Sequence, residues 1–344
     1  MALPASKRAA GDRIAVLGAG HWGTALAAHL ARMGRPVQLW GHSPAPLAAM
    51  AASGTLAPVF PQHPLPGNLH PNPDLAAALD GSDALLMAVP SRFFRGVLRK
   101  ALPYLRPGSI VAWASKGLEE GSSLRLDEVA AEELPAGAAV AVVSGPTFAA
   151  EVVQGLPTAL TVASPDLEVA ERVAGWLRGD AMRAYTSQDV AGVCLGGAIK
   201  NVMAIAAGIS DGLGYGHNAR AALITRGLAE LLRLGQALGG QKETFMGLAG
   251  AGDLILTCTG DLSRNRTVGM RLGRGESLDA ILADLRMEAE GVHTARALYQ
   301  LAQRRGIDMP IVEQVYRVLY EGLDPRAAQA ALMHRQPKRE DSGE

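Results

Sequence analysis

A lysine and an asparagine stand side by side in a long run of apolar and small residues. Lys200 and Asn201 are the only polar residues in the segment 194–209. This segment is too short and too rich in glycine to span a membrane, so it predicts a buried helix of a soluble protein. An unpaired buried ammonium is costly, so Lys200 must reach the surface, close an ion pair between domains or take part in catalysis.

Polar groups are also concentrated in a second segment further along the chain. Asp253 and Thr257 are four residues apart, which places them on one face of a helix. Residues 263–266 read Ser-Arg-Asn-Arg, a cluster of hydrogen-bond donors that is suited to a phosphate group. The alternative is a solvated helix start that is capped by Ser263.

The elements at the start of the chain are a strand, a glycine turn, a helix and a second strand. The two strands are predicted at 14–17 and 37–40, and an alanine- and leucine-rich helix fills most of the space between them. Gly18 permits the turn, Gly20 lets the backbone approach a pyrophosphate, and Gly23 lets the helix pack on the strand. Because the helix amides then face the anion, this unit predicts dinucleotide binding.

The residues after the second strand bear on the choice of cofactor. NAD-specific sites usually place an acidic residue there to hold the ribose 2′-hydroxyl. This chain has His42 and Ser43 and no acid, which favours NADPH over NADH and leaves NADH possible. His42 is equally compatible with an ordinary loop residue.

Strand and helix patterns alternate up to about residue 187, which predicts a mainly parallel, doubly wound sheet of the Rossmann type. Lys116 follows one of these strands and either points into the crevice where such sheets bind ligands or is a solvated loop residue. Residues 53–73 contain six prolines and no periodic pattern, so we expect an irregular loop or an excursion, with His63 and His70 as loop residues. The later strands are predicted at 84–89, 110–114, 139–143, 158–163 and 182–186.

Helical patterns fill the second half of the chain. We therefore predict an α/β protein with a dinucleotide-binding Rossmann domain over 1–187 and an all-helical substrate and catalytic domain over 188–335. The start, 1–12, and the tail, 336–344, consist of small or charged residues and are expected to be frayed. The helical segments are predicted at 188–209, 219–238, 278–285, 291–305, 310–321 and 325–333.

Composition narrows the class of protein. Lysine plus arginine equals aspartate plus glutamate, at 33 each, so no basic surplus indicates nucleic acid as a partner. Cys194 and Cys258 are far apart and lack metal-ligand spacing, which favours reduced thiols in a cytosolic protein without a metal. The first dozen residues have no long apolar run, so neither a signal peptide nor a membrane anchor is expected.

In sequence order, these motifs resemble those of the bacterial-type soluble NAD(P)-dependent glycerol-3-phosphate dehydrogenases. The resemblance covers roughly residues 13–333. It rests on the segments 18–24 (GAGHWGT), 115–117 (SKG), 144–149 (SGPTFA), 197–201 (GAIKN), 250–254 (GAGDL), 263–265 (SRN) and 290–291 (EG).

The resemblance implies that Lys200 is the catalytic proton donor and acceptor in the interconversion of dihydroxyacetone phosphate and sn-glycerol 3-phosphate. It further implies a cytoplasmic homodimer, and an NADPH-leaning site suggests that the product supplies glycerophospholipid synthesis. The implied substrate contacts are Lys116, Gly145, Thr147, Lys200, Asn201, Asp253, Thr257, Ser263, Arg264 and Asn265. The implied cofactor contacts are Gly18, Gly20, His21, Trp22, Gly23, His42, Lys116, Ala149, Arg264, Glu288 and Glu290.

Two positions depart from the family pattern. His21 stands where serine is frequent, and Glu288 stands where a small aliphatic residue is usual.

Two other functions are alternatives to this family. One alternative is a two-domain dehydrogenase of hydroxy acids or sugar acids, and the other is a non-catalytic nicotinamide sensor. The donor cluster at 263–265 favours a phosphate substrate over the first, and a buried lysine beside a carboxylate favours an enzyme over the second.

Overall fold

The computed structural model describes residues 12–285 and 289–336 of the chain. Its strands are β1 Ile14–Leu17, β2 Val37–Trp40, β3 Thr55–Leu56, β4 Phe60–Pro64, β5 Leu69–Asn72, β6 Ala84–Met87, β7 Ile110–Trp113, β8 Val140–Ser144, β9 Thr158–Ala163 and β10 Met182–Ser187. Its first helices are α1 His21–Arg32, α2 Pro44–Ser53, α3 Leu75–Leu79, α4 Phe94–Ala101, α5 Leu126–Glu133, α6 Ala149–Gln154 and α7 Leu167–Leu177.

The remaining helices follow without an intervening strand in the part of the chain that the structure describes. They are α8 Val190–Gly212, α9 Gly216–Ala237, α10 Lys242–Met246, α11 Asp253–Thr259, α12 Arg264–Gly273, α13 Leu278–Leu285, α14 Glu290–Arg305, α15 Pro310–Tyr320 and α16 Pro325–Met333. Three of them, α10 to α12, fall between the predicted helical segments. The predicted fold class, a doubly wound sheet followed by a helical region, is confirmed.

Eight strands form one sheet in the order β10-β9-β8-β7-β6-β1-β2-β5. All neighbours are parallel except β8 and β9, which are antiparallel. Every residue of β1 and β6 is buried, as expected for central strands that are covered by helices on both faces. The strand order reverses at β1, which lies between β2 and β6, and ligands bind doubly wound sheets at this kind of switch point. The segments that follow β1, β2, β6, β7 and β8 therefore meet at one edge.

Residues 53–73 were predicted to be an irregular loop or an excursion, and the irregular loop is wrong. This region contains β3, β4 and β5, and His63 and His70 lie in β4 and β5 rather than in a loop. β5 pairs only with β2, so it is an edge strand of the main sheet, and Pro71 lies opposite Leu39. Proline lacks an amide hydrogen and is tolerated at a sheet edge, which is why a proline-rich sequence can form this strand.

Of the residues that were expected to be frayed, the structure describes only Asp12 and Gln336, and Asp12 is held in place. The Asp12 carboxylate accepts hydrogen bonds from the Arg172 guanidinium, at 2.6 and 3.1 Å, and from the Trp176 indole, at 2.7 Å. These bonds lower the pKa of Asp12 and tie this residue to α7. Residues 1–11 and 337–344 lie outside the described residues.

The chain divides into two compact units. The first comprises residues up to Glu119 together with Leu124–Cys194, and the second comprises Glu120–Ser123 and the residues from Leu195 onward. The division falls inside α8, a few residues after the predicted boundary at 187/188. The sheet lies in the first unit, and α9 to α16 lie in the second.

Helix α8 has 23 residues, and its length and composition alone would let it cross a membrane. Within the structure, 94% of its most apolar window is buried. The prediction of a buried helix is therefore confirmed, although the argument from short length does not hold for the whole helix. Such burial is typical of a core helix in a soluble protein.

Glycines bring α8 and α12 into backbone contact. A Cβ at Gly208 would lie 2.1 Å from the carbonyl oxygen of Arg266, and one at Gly269 would lie 2.0 Å from that of Ile205. Real side chains do not approach so closely, so the separation of these helices depends on glycine at these positions. Gly212 and Gly273 make similar contacts one turn further along each helix.

Candidate active site

The glycine turn after β1 has the geometry of a dinucleotide-binding turn. Gly18 has φ +121°, and a Cβ there would lie 2.5 Å from the carbonyl oxygen of Ala88. A Cβ at Gly23 would lie 1.8 Å from the carbonyl oxygen of Gly18. These two glycines are required by the turn and by the packing of α1 on the sheet.

Gly20 has no such internal reason to be glycine. It precedes α1 in an extended conformation, and a Cβ there would meet nothing within 4 Å. No acidic residue lies in the first turn of α1, and the N-terminal amides of a helix are suited to an anion. The adjacent Trp22 is held by a 3.2 Å hydrogen bond from its indole to the carbonyl oxygen of Ala114. These features fit a bound pyrophosphate at Gly20.

The segments after β7 and β8 bring three predicted substrate residues together. The ammonium of Lys116 donates to the carbonyl oxygen of Gly145 at 3.1 Å, and the hydroxyl of Thr147 donates to the same oxygen at 3.0 Å. Gly145 has φ +151°, and a Cβ there would lie 2.8 Å from the Cα of Leu160. Ala149, two residues beyond Thr147, begins α6. Lys116 is thus fixed at the carboxyl end of β7 rather than extended into solvent.

The segment after β2 is exposed and carries no carboxylate. His42 is exposed, and Ser43 is the N-cap residue of α2 but makes no side-chain capping bond. An N-cap hydroxyl normally accepts from the second or third residue of the helix, and here the third residue is Pro46, which has no amide hydrogen. The Ser43 hydroxyl is therefore not consumed by the helix.

In the second unit, Lys200 is buried in an ion pair. Its ammonium lies 2.7 Å from Oδ1 of Asp253 and 3.2 Å from Oγ1 of Thr257. Lys200 is 8% exposed, Asp253 is fully buried, and the Thr257 hydroxyl also donates to the carbonyl oxygen of Asp253 at 2.5 Å. Asp253 and Thr257 thus share one helical face, as predicted, and Lys200 contacts that face. Lys200 does not reach the surface, and its ion pair lies within the second unit rather than between domains.

A close backbone contact explains how α8 and α11 bring these groups together. Residues Leu248–Gly252 form one π-helical turn before α11, in which the amide of Gly252 donates to the carbonyl oxygen of Gly247 at 3.0 Å. A Cβ at Gly196 would lie 2.3 Å from the carbonyl oxygen of Ala249 in this turn. Lys200 and Asp253 each follow that contact by four residues. Gly196 was not among the predicted site residues, although a glycine one helical turn before a buried lysine was the available signal.

The four residues 263–266 have different environments. Ser263 caps α12 by accepting from the amide of Arg266 at 3.3 Å, as the capping interpretation predicted. The Arg266 guanidinium is buried and pairs with Asp211 at 2.8 Å and with Asp261 at 2.9 Å. Arg264 is exposed and makes no hydrogen bond or ion pair to another described residue. Only Arg264 of the two arginines is therefore available to a ligand.

Asn265 links three helices of the second unit. Its Nδ2 donates to Oδ1 of Asn201 on α8 at 2.9 Å, and its Oδ1 accepts from the amide of Gly291 on α14 at 3.0 Å. Glu290, a predicted cofactor contact, is the first residue of α14. Glu288 lies outside the described residues. The sequence analysis missed this connection because Asn201, Asn265 and Gly291 are far apart in the chain.

The two cysteines are free thiols and both are buried, as predicted for reduced residues. Burial raises the pKa of the Cys258 thiol to about 12, so at neutral pH this group is uncharged next to the Lys200 site. Among the residues that the structure describes, no group of three His, Cys, Asp or Glu side chains is arranged to hold a metal ion.

Comparison with known proteins identifies the family. Residues 13–170 match the family model described as the NAD-dependent glycerol-3-phosphate dehydrogenase N-terminus, and residues 189–330 match the model of its C-terminus. The chain belongs to this family. It is an NAD(P)-dependent oxidoreductase. The matches confirm the predicted family and enzyme class, and they decide against a dehydrogenase of hydroxy acids or sugar acids and against a non-catalytic nicotinamide sensor.

Individual relatives agree with this assignment. A protein of Acidithiobacillus ferrooxidans named glycerol-3-phosphate dehydrogenase [NAD(P)+] is 59% identical, and the match covers 94% of each chain. One of the same name from Thioalkalivibrio sulfidiphilus is 57% identical over 95% of this chain and 98% of its own. The crystal structure of glycerol-3-phosphate dehydrogenase from Coxiella burnetii superposes with a TM-score of 0.92 at 43% identity, over 95% of this chain and 100% of that one.

The contact between Gly196 and the π-helical turn predicts a specific sensitivity of this enzyme. Gly196→Ala places a methyl group against the Ala249 carbonyl, so α8 and the turn must separate. We expect the free energy of unfolding to fall by about 1–3 kcal/mol, as for overpacking elsewhere, together with a loss of turnover. Chemical denaturation and steady-state assays measure the two effects.

Gly175→Ala is the matched control. Gly175 lies inside α7, and a Cβ there meets nothing within 4 Å, so the substitution should stabilise the protein by about 0.5–1 kcal/mol and leave turnover unchanged. Wild-type stability and turnover in Gly196→Ala would show that this contact does not hold the lysine and the carboxylate together.

Proposed function

We propose that Lys200 is the proton donor and acceptor in the reversible interconversion of dihydroxyacetone phosphate and sn-glycerol 3-phosphate by this enzyme. The observation that carries this assignment is the buried contact of Lys200 with Asp253 and Thr257. An ammonium has three N–H donors, and these two partners take two of them. Lys200 makes no other hydrogen bond to a described residue, which leaves one N–H for the oxygen at C2 of the substrate.

The residues around Lys200 would divide the work as follows. Bound nicotinamide supplies or accepts the hydride at C2 of the substrate. Lys200 stabilises the negative charge that develops on the C2 oxygen and transfers a proton to it. Asp253 orients the ammonium, and Thr257 fixes its second N–H. In the reverse direction, Lys200 takes the hydroxyl proton.

Lys200→Ala should lower kcat by about 10²- to 10⁴-fold, because this range is typical for the loss of a general acid. The assay follows the oxidation of NADPH, and then of NADH, after addition of dihydroxyacetone phosphate. Cofactor binding, measured by fluorescence titration, should be unchanged. A Lys200→Ala enzyme with substantial turnover would overturn the assignment.

Controls separate chemistry from folding, because Lys200→Ala removes the ammonium that pairs with the buried carboxylate of Asp253. The double variant Lys200→Met, Asp253→Asn removes both charges together and should be stable but inactive. Lys242→Ala removes a lysine that begins α10 and is exposed, and it should retain full turnover.

We propose that Arg264 is the main cationic contact of the substrate phosphate. It is the first residue of α12, whose N-terminal amides add to its positive charge. Ser263 and Asn265 remain proposed contacts, although Ser263 already caps α12 and Asn265 has only one amide hydrogen without an assigned partner. The other proposed substrate contacts are Lys116, Gly145 and Thr147 in the first unit and Asn201 and Thr257 in the second.

Arg264→Ala should raise KM for dihydroxyacetone phosphate about tenfold or more, since a hydrogen bond to a charged group contributes about 1.5–3 kcal/mol. Initial rates over a range of substrate concentrations measure this change. Arg274→Ala removes the same charge at the other end of α12, where Arg274 is also exposed, and should leave KM unchanged. An unchanged KM in Arg264→Ala, or an equal rise in Arg274→Ala, would contradict the phosphate role.

We propose that residues after β1, β2, β7 and β8 bind the cofactor together with Arg264, Glu288 and Glu290, and that NADPH is preferred. The support for the preference is the exposed His42, the uncommitted hydroxyl of Ser43 and the lack of a carboxylate after β2. The enzyme would also use NADH as a second cofactor. The proposed cofactor contacts are Gly18, Gly20, His21, Trp22, Gly23, His42, Lys116, Ala149, Arg264 and Glu290, together with Glu288 outside the described residues.

Ser43→Asp should shift the preference from NADPH toward NADH. The new carboxylate would repel a 2′-phosphate and accept a hydrogen bond from a 2′-hydroxyl. Aspartate is also a favourable N-cap residue, so the melting temperature should not fall. The ratio of kcat/KM for the two cofactors is the measurement. A wild-type preference for NADH, or an unchanged ratio in Ser43→Asp, would count against this proposal.

We further propose that the enzyme is a cytoplasmic homodimer that supplies glycerol 3-phosphate for glycerophospholipid synthesis. In the second unit, an apolar groove of about 880 Å³ is lined by residues of α8, α9, α15 and α16, and a second subunit would cover it. Sedimentation at assay concentrations should give twice the mass of one chain, and a monomer would contradict the dimer.

A further inference from the structure

We propose that Gly291, Asn265 and Asn201 form a relay that fixes the orientation of the Asn201 carboxamide, so that its NH₂ group is presented as a donor to the substrate. This inference rests on the proposed function. It assigns to Asn265 and Gly291 a positioning role that acts through Asn201. The relay consists of two hydrogen bonds, from the amide of Gly291 to Asn265 and from the side chain of Asn265 to Asn201.

The direction of the relay is set by the backbone. The amide of Gly291 can only donate, so the atom of Asn265 that faces it must be the carboxamide oxygen. The NH₂ group of Asn265 then faces Asn201 and requires the oxygen of Asn201 as its acceptor. A carboxamide alone could take either of two orientations. Here the amide of Gly291 selects one orientation for Asn265, and Asn265 in turn selects one for Asn201.

The end of the relay carries an unused donor. With its oxygen committed to Asn265, Asn201 has an NH₂ group that makes no hydrogen bond to a described residue. Asn201 is 5% exposed, and its NH₂ group is not among the fully enclosed polar atoms that lack a partner, so this donor keeps some access to a ligand. Asn201 directly follows Lys200 on α8. An oxygen of the bound substrate is the acceptor that this arrangement fits.

Packing holds the three residues at hydrogen-bond distance. A Cβ at Gly291 would lie 2.7 Å from both the carbonyl oxygen of Asn201 and Oδ1 of Asn265, so this contact requires glycine. One helical turn beyond Asn201 and Asn265, Gly269 of α12 packs on the carbonyl oxygen of Ile205 of α8. The close crossing of α8 and α12 therefore continues directly into the hydrogen bond between the two asparagines.

The isosteric substitution Asn265→Asp tests the direction of the relay. A carboxylate still accepts from the amide of Gly291, but it must also accept from Asn201, which turns the carboxamide of Asn201 around and presents its oxygen to the substrate. We expect kcat to fall at least about tenfold, while cofactor binding stays near that of the wild type. Wild-type kcat in Asn265→Asp would overturn the proposal.

A double-mutant cycle separates the relay from a direct effect of the new charge or from a direct phosphate contact of Asn265. If Asn265 acts through Asn201, then Asn265→Asp should have almost no further effect on kcat in an Asn201→Ala background. If Asn265→Asp lowers kcat equally in both backgrounds, Asn265 acts directly and the relay is wrong. The neutral variant Asn265→Leu, which breaks both hydrogen bonds, should show the same dependence on background.

Gly291→Ala provides a second test at the other end of the relay, since its methyl group displaces Asn265. It should lower kcat as Asn265→Asp does, and a wild-type kcat would contradict the relay. Gly306, at the C-terminal end of the same helix, has φ +63°, and a Cβ there would meet no atom within 4 Å. Gly306→Ala should therefore lower only the melting temperature.

A wild-type protein that fails to reduce dihydroxyacetone phosphate would refute the proposed function itself, whereas an active wild type with an additive cycle would refute the relay alone.

Discussion

A buried lysine ammonium needs polar partners, because desolvation of an unpaired charge would cost more than a domain of this size can tolerate. In this chain Lys200 meets Asp253 and Thr257, and both lie on α11, so the burial of one side chain on α8 requires α11 to pack there. The two backbones must approach closely, which Gly196 and the π-helical turn before α11 permit. The catalytic proposal and the packing of the helical unit thus depend on the same contact.

The unusual composition of α8 follows from its neighbours. One part of the helix contacts the turn before α11, and another contacts α12 through Gly208 and Gly269. A helix that is surrounded by other helices needs apolar residues on all sides, and glycines wherever a backbone comes close. The same two requirements give α8 the hydropathy of a membrane span, although it is a core helix. Lys200 and Asn201 interrupt this pattern where the partners of α8 supply polar groups.

Local sequence patterns predicted local structure and the family, but they could not predict environments that depend on distant residues. The glycine turn at Gly18 was predictable because strand, turn and helix lie within a short stretch of chain. Arg264 and Arg266 look alike in sequence, yet the guanidinium of Arg266 is buried in an ion pair with Asp211, which lies 55 residues earlier. Nothing within the four residues 263–266 indicates that partner. β5 was missed for a related reason, since proline excludes a central strand but not an edge strand.

The pairing of charges separates the proposed acid from the proposed phosphate contact. Lys200 is balanced by Asp253, and Arg266 is balanced by Asp211 and Asp261, so neither adds net positive charge to the helical unit. A phosphate monoester carries between one and two negative charges at neutral pH and needs a cation that is not already balanced. Arg264 forms no ion pair with any described residue, and it also lies at the N-terminus of α12. Lys200 can therefore serve proton transfer while Arg264 meets the charge of the phosphate, because a pair that is already neutral attracts a dianion only weakly.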